Sequence, residues 1–229
     1  MHIEPGILSP DKMLLSYATA AIAVGYGARL ALKEGRDSGT LQSLTRFALT
    51  SMSTFVFFQV FPHFPIGVSE LHLIFGTALF LLFGVGAASF GLATGLLVQG
   101  IFFAPTDLPQ YCANLTTLLA PLYAVHALAQ RIIPGVRAYK DLAYNDLVKL
   151  SLAYQTGIVG WVSFWVVYGQ GLSLATAESL FTFAVSYLPV VVIEPLVGLA
   201  LLALAKGAGR DKASKLFGSR VFCAAPSEI

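Results

Sequence analysis

The sequence predicts an all-α, multi-pass transmembrane helical bundle of about seven spans, with the N-terminus outside and the C-terminus inside. Three observations predict it. The composition is 56% hydrophobic and only 11% charged, whereas a soluble domain carries roughly 25% charged residues. Apolar stretches follow one another at 12–33, 42–61, 71–104, 113–131, 147–169 and 174–205, each bounded by charges, Pro or Gly. The basic residues gather beside these stretches in three clusters. At roughly 20 apolar residues per crossing, the 229 residues leave room for six or seven spans and for no separate soluble domain. The whole of 1–229 is therefore read as one integral membrane domain, with a leading segment at 1–9 and a cytoplasmic tail at 206–229.

The third stretch decides the count. Thirty-four residues of helix, 71–104, would reach about 50 Å at 1.5 Å per residue, against roughly 30 Å of hydrocarbon. Its middle, Phe83-Gly84-Val85-Gly86-Ala87-Ala88-Ser89-Phe90-Gly91, is rich enough in small residues to allow a tight reversal. The basic clusters hold Arg29, Lys33, Arg36 and Arg46, then Arg131, Arg137, Lys140 and Lys149, then Lys206, Arg210, Lys212, Lys215 and Arg220. Lys and Arg accumulate on the cytoplasmic side. Two short helices turning near Gly84 to Gly86 put all three clusters inside and leave only Lys12 on the outer face; one long helix would set the second cluster opposite the first.

Several function classes are excluded. A net charge of +2, with no aromatic residues interleaved among the basic ones, does not describe a nucleic-acid surface. There is no His-Glu-x-x-His helix and no Gly-x-Ser-x-Gly elbow, which argues against an intramembrane hydrolase. Cys112 and Cys223 are too few and too far apart for a disulfide framework or a thiolate zinc site. The small-residue patterns at Gly91–Gly95 and Gly157–Gly160 are read as helix packing.

The orientation places three of the four histidines, His2, His63 and His72, toward the outside. His2 carries distinctive chemistry. The opening Met1-His2-Ile3-Glu4-Pro5-Gly6 lacks the features of a signal peptide, and bulky His2 is expected to leave Met1 in place. The amine of Met1, the backbone nitrogen of His2 and the His2 imidazole can then all reach one ion. Three nitrogens in a plane suit Ni(II) or Cu(II), with Co(II) also accommodated. His72 is the nitrogen available on the same face to complete the plane. Ligation at a backbone nitrogen requires loss of its proton, so binding should weaken as pH falls. His63, flanked by Phe61-Pro62 and Phe64-Pro65, is read as an interfacial residue and as a candidate neighbour of the ligating imidazoles. Asn114, at the outer end of the fifth helix, is the candidate acceptor for a ring N–H of His2 or His72.

These residues resemble the CbiM/NikM family, the substrate-specific membrane components (S components) of energy-coupling factor (ECF) transporters for cobalt and nickel. The likeness rests on the Met-His-Ile start with Glu4 and Gly6, and on His72 after the Pro- and Gly-containing run Phe64-Pro65-Ile66-Gly67-Val68-Ser69-Glu70-Leu71. It continues through the Leu-rich segment ending Val98-Gln99-Gly100-Ile101-Phe102-Phe103, through Ala113-Asn114, and more weakly through Ile193-Glu194-Pro195. The chain departs from the family in placing the acid directly after Ile3, in Cys112 before Ala113-Asn114, and in lacking a histidine near Tyr187-Leu188. The resemblance implies that Met1, His2 and His72 hold Co(II) or Ni(II) as transported ligand, with no resident cofactor. It also implies a membrane coupling (T) subunit and ATPase (A) subunits as partners, with a small accessory membrane subunit as a further option, in a prokaryotic cell membrane. ATP hydrolysis would fall to those partners. The alternative is a secondary metal transporter or channel working without ATPases, for which a single intramembrane acid, Glu194, is a poor supply of polar path. Glu194 is read either as a neutral acid hydrogen-bonded between helices or as part of a moving interface with the coupling subunit. His126, toward the cytoplasmic end of the fifth span, is read as structural.

Overall fold

The fold is that of a computed structural model, which describes residues 3–133 and 138–207 together with Phe217 and Val221. Seven helices make up the bundle: α1 Met13–Ser38, α2 Thr40–Phe55, α3 Gly76–Phe83, α4 Val85–Phe102, α5 Tyr111–Ile132, α6 Tyr144–Gln170 and α7 Leu174–Gly207. Five of them, α1, α4, α5, α6 and α7, are long and apolar enough to cross a membrane by themselves. The other two do so with help. α2 runs on as a turn of π-helix over Val56–Val60, which lengthens it to the size of a span. α3 has only eight residues, about 12 Å of helix.

The stretch 71–104 does divide, and it divides at Gly84. That residue adopts φ 96° and ψ 161°, a region open almost only to glycine, so the helix stops there and α4 starts at once in the opposite direction. The end of α1 seals the reversal: the amides of Gly86 and Ala87 donate to Glu34 Oε2 at 3.1 and 3.3 Å. A carboxylate at the first turn of α4 satisfies amides that have no partner within the helix and complements the helix dipole.

The third helix is shorter than the sequence suggests, because residues 64–75 are not helical. Phe64–Ile66 and Ser69–Leu71 form a two-stranded antiparallel hairpin, β1 and β2, with Pro65 opposite Glu70 and Ile66 opposite Ser69. Gly67 turns it with φ 60°. His72 to Phe75 then run into the bundle without regular secondary structure before α3 begins. At no more than about 3.3 Å per residue, this segment adds at most about 13 Å to the length of the short helix.

The helices alternate in direction, and the charges sort accordingly. Arg36, Arg46, Arg131 and Lys149 lie at the end where α1 meets α2 and α5 leads to α6. Lys12 lies at the other end, donating to the Gly169 carbonyl at 2.8 Å. Arg137, the third basic cluster beyond Lys206, and most of the tail at 206–229 lie outside the described residues. Phe217 packs on Phe83 with ring centroids 5.7 Å apart, and Val221 is buried.

The core is a single apolar cluster centred on α3, α4, α5 and α6, with Phe80, Leu92, Leu118, Tyr154, Ile158 and Trp165 almost wholly enclosed. Outward faces stay apolar too, as at Leu14, Ile22, Phe102, Phe181 and Leu204, which fits a surface solvated by lipid. Small residues let backbones meet, as expected: a Cβ at Gly91 or Gly95 would run into Thr50 or Thr54 of α2.

Candidate metal centre

The outer end of the bundle is built around the hairpin. Alternate side chains of an extended chain point the same way, so Glu70 and His72 share a face, and Glu70 Oε2 sits 2.9 Å from His72 Nε2. His72 has no exposed surface. Its ring is held between aromatic neighbours, with Phe58 tilted against it at 4.8 Å and His63 stacked at 5.2 Å and 14° between ring centroids and planes. His63 Nδ1 lies 3.2 Å from the Phe61 carbonyl oxygen. An imidazole that directs Nε2–H at a carboxylate carries its lone pair on Nδ1, the arrangement that raises ligand basicity in metal sites.

The leading segment is folded into the same end. Ile3 is fully buried and bridges to Ser69, and the Glu4 amide donates to the Val68 carbonyl at 3.2 Å. Ile3 and Glu4 thus lie beside β2 in antiparallel sense. The Ile3 amide donates to Asn114 Oδ1 at 2.6 Å. Asn114, assigned above to an imidazole, therefore has a backbone partner in the leading segment. Ile7 and Leu8 are buried as well, and the Ile7 carbonyl passes so close to Gly169 that a side chain there could not be accommodated. Met1 and His2 themselves, the two other sequence-predicted ligands, lie outside the described residues.

Acidic groups surround this end. Partial burial, and after it the carboxylates of Glu70 and Asp107, push the Glu4 carboxyl above its ordinary value. A site flanked by like charges of this sign favours an arriving cation. Among the described residues, no group of three or more His, Cys, Asp or Glu side chains converges in a way that could hold a metal.

The family model described as the cobalt uptake substrate-specific transmembrane region, CbiM, matches residues 2–211. The chain belongs to the CbiM family. That family is one of membrane transport components and not of enzymes. A solved structure of a truncated transition metal transporter is similar to this CbiM chain with a TM-score of 0.62 and 19% identity, over 91% of this chain and 100% of its own; at that identity the likeness shows the fold. No curated protein matches in sequence.

Two residues of this CbiM chain were not legible as part of the outer site. The sequence sets Glu70 at the opening of a helix, where residues two apart face different ways. The signal was present in Glu70-Leu71-His72, but only for an extended chain. Ser69 likewise reads as a loop residue, yet its backbone bridges to Ile3.

The remaining polar groups lie elsewhere. His126 packs edge-on to Phe80, with centroids 5.6 Å apart, and lines a cavity of ≈ 160 Å³ with Glu34, Asp37 and Arg46 at the opposite end of the bundle. Glu194 is buried in the interior, where the Thr77 amide donates to its Oε1 at 3.0 Å.

Proposed function

We propose that this CbiM chain is the metal-capturing S component of an ECF-type ABC importer in a prokaryotic cell membrane, taking up Co(II) or Ni(II) as its substrate. The ligands are the amine of Met1, the backbone nitrogen and imidazole of His2, and the imidazole of His72. The observation that carries this is the anchoring of the leading segment. Glu4 lies against Val68 and Ile3 against Ser69, an antiparallel pairing that runs from Glu4 to Ile3 in the direction of His72. Asn114 and the burial of Ile3 hold that register. Four nitrogens gathered in this way suit an ion preferring square-planar or tetragonal geometry.

Binding requires deprotonated nitrogens, so capture releases protons. Glu70 directs the His72 ring, and the acidic rim concentrates cations at the mouth. ATP hydrolysis and the force for translocation come from separate T and A subunits.

Titration of the purified chain with Ni(II) tests the ligand set. A free first amine should give about one ion per chain. Acetylating that amine, placing a tag ahead of Met1, or introducing His72→Ala should each abolish it. Full binding after any of the three overturns the set. The importer assignment is tested separately, by uptake into vesicles with and without coexpressed T and A subunits. Uptake without them would mark a secondary transporter.

A further inference from the structure

We propose that Gln155 and Glu194 are positioning residues for His72: they grip the backbone that follows the imidazole and thereby set how long a metal stays on it. The inference rests on His72 being a ligand, and it adds two residues deep in the bundle to the outer site.

The segment His72–Phe75 is non-helical backbone inside a membrane bundle, where peptide groups lacking helical partners must find others. Two are supplied by side chains. Gln155 Nε2 on α6 donates to the Ile74 carbonyl at 2.8 Å. Glu194 Oε1 on α7 accepts from the Thr77 amide at 3.0 Å, at the first turn of α3. The Tyr187 hydroxyl donates to Gln155 Oε1 at 2.5 Å, which fixes the amide so that its nitrogen faces Ile74. Ile74, Gln155 and Tyr187 have no exposed surface and Glu194 has almost none, so water does not substitute for these bonds.

The grip has little slack. Gly76 lies directly against the Tyr154 ring, close enough that a Cβ could not fit. Tyr187 and Glu194 are seven residues apart on α7, two helical turns, and so share one face. One of the two gripping side chains, and the tyrosine that orients the other, therefore belong to the last helix. A shift of α7 relative to α6 pulls on Ile74 and Thr77, on either side of a rigid glycine contact, and reaches His72 two residues upstream.

The test uses the full chain with its native start, Ni(II) as the probe, and two readouts: the metal dissociation rate and the ligand-field spectrum. The variants are H72A, E194L, E194Q and Q155L. E194L and Q155L should release Ni(II) at least about tenfold faster, as expected for lost outer contacts to a ligand, with spectra shifted toward that of H72A. E194Q keeps an amide oxygen that can accept from Thr77, so it should stay near the wild-type rate. Q155L carries the test if E194L does not fold. Positioning is overturned if H72A changes the spectrum while Q155L and E194L release metal at the wild-type rate, or if E194Q is as fast as E194L. If H72A itself leaves rate and spectrum unaltered, the ligand assignment fails and this inference falls with it.

Discussion

Glu70 and His72 lie two residues apart on an extended chain, and a carboxylate oxygen of the first stands 2.9 Å from Nε2 of the second. That spacing fixes the ring's orientation through a contact that a helix could not make. Removing the acid should therefore weaken metal binding without unfolding the bundle. Glu70→Ala is expected to lower Ni(II) affinity by about 10–100-fold. Glu70→Gln, whose amide oxygen still accepts, should lose less. Calorimetric titration of the two variants checks this, and equal losses would show that charge, and not orientation, is the contribution.

Asn114 ties the leading segment to α5 through the Ile3 amide. In Asn114→Ala that buried N–H loses its acceptor, a penalty of about 1–3 kcal/mol. If the metal needs the segment in place, the penalty appears as a loss of roughly 5–150-fold in affinity, at 1.4 kcal/mol per factor of ten. Metal titration measures it; a change within about twofold would separate Asn114 from the site.

Gly169 leaves room for the Ile7 carbonyl. A methyl group there must displace either α6 or the leading segment, and the segment has far fewer contacts to lose. Gly169→Ala should thus reduce metal affinity by at least about tenfold while helix content and thermal stability stay close to wild type. A large drop in melting temperature instead would mean that α6 yields.

Gly84 makes the reversal between α3 and α4, at φ 96° and ψ 161°, with the Glu34 carboxylate beside it. Any side chain adopts that conformation at a cost of about 1–3 kcal/mol and would also press on Glu34. Gly84→Ala is expected to destabilise the bundle by at least that amount, read from thermal or denaturant unfolding in detergent. Gly160, which has open space around it, is the control and should tolerate alanine.

Protons and the metal compete for the same nitrogens. Lower pH favours the protonated amine and imidazoles and opposes loss of the His2 amide proton, so affinity should fall continuously as pH is lowered and rise as pH is raised. Ni(II) titrations across the neutral range check the sign. Affinity independent of pH would remove the backbone nitrogen from the ligand set.

The charge pattern by itself determined the topology. Clusters of Arg and Lys that must share one side of the membrane required an even number of crossings between the first and second clusters, and glycines at 84 and 86 marked where the long stretch divides. These are local or additive properties, since hydropathy and basic charge act residue by residue in a bilayer. His72 and Asn114 were legible as residues of the outer end for the same reason: their position follows from topology alone.

What the tertiary structure decided is how those residues are held. Three-residue strands carry too little pattern to be read, and an isolated two-stranded hairpin is marginal in water; here it persists because Ile3, 66 positions away in sequence, bridges to Ser69. That pairing makes residues 69–72 extended, and only then does Glu70 face His72. Glu194 shows the same dependence. Its burial could be read from the chain, but its partner is a backbone amide of Thr77, exposed only because α3 starts late. Such contacts join segments distant in sequence, 117 residues apart for Thr77 and Glu194, and no local preference encodes them until the bundle has brought the segments together.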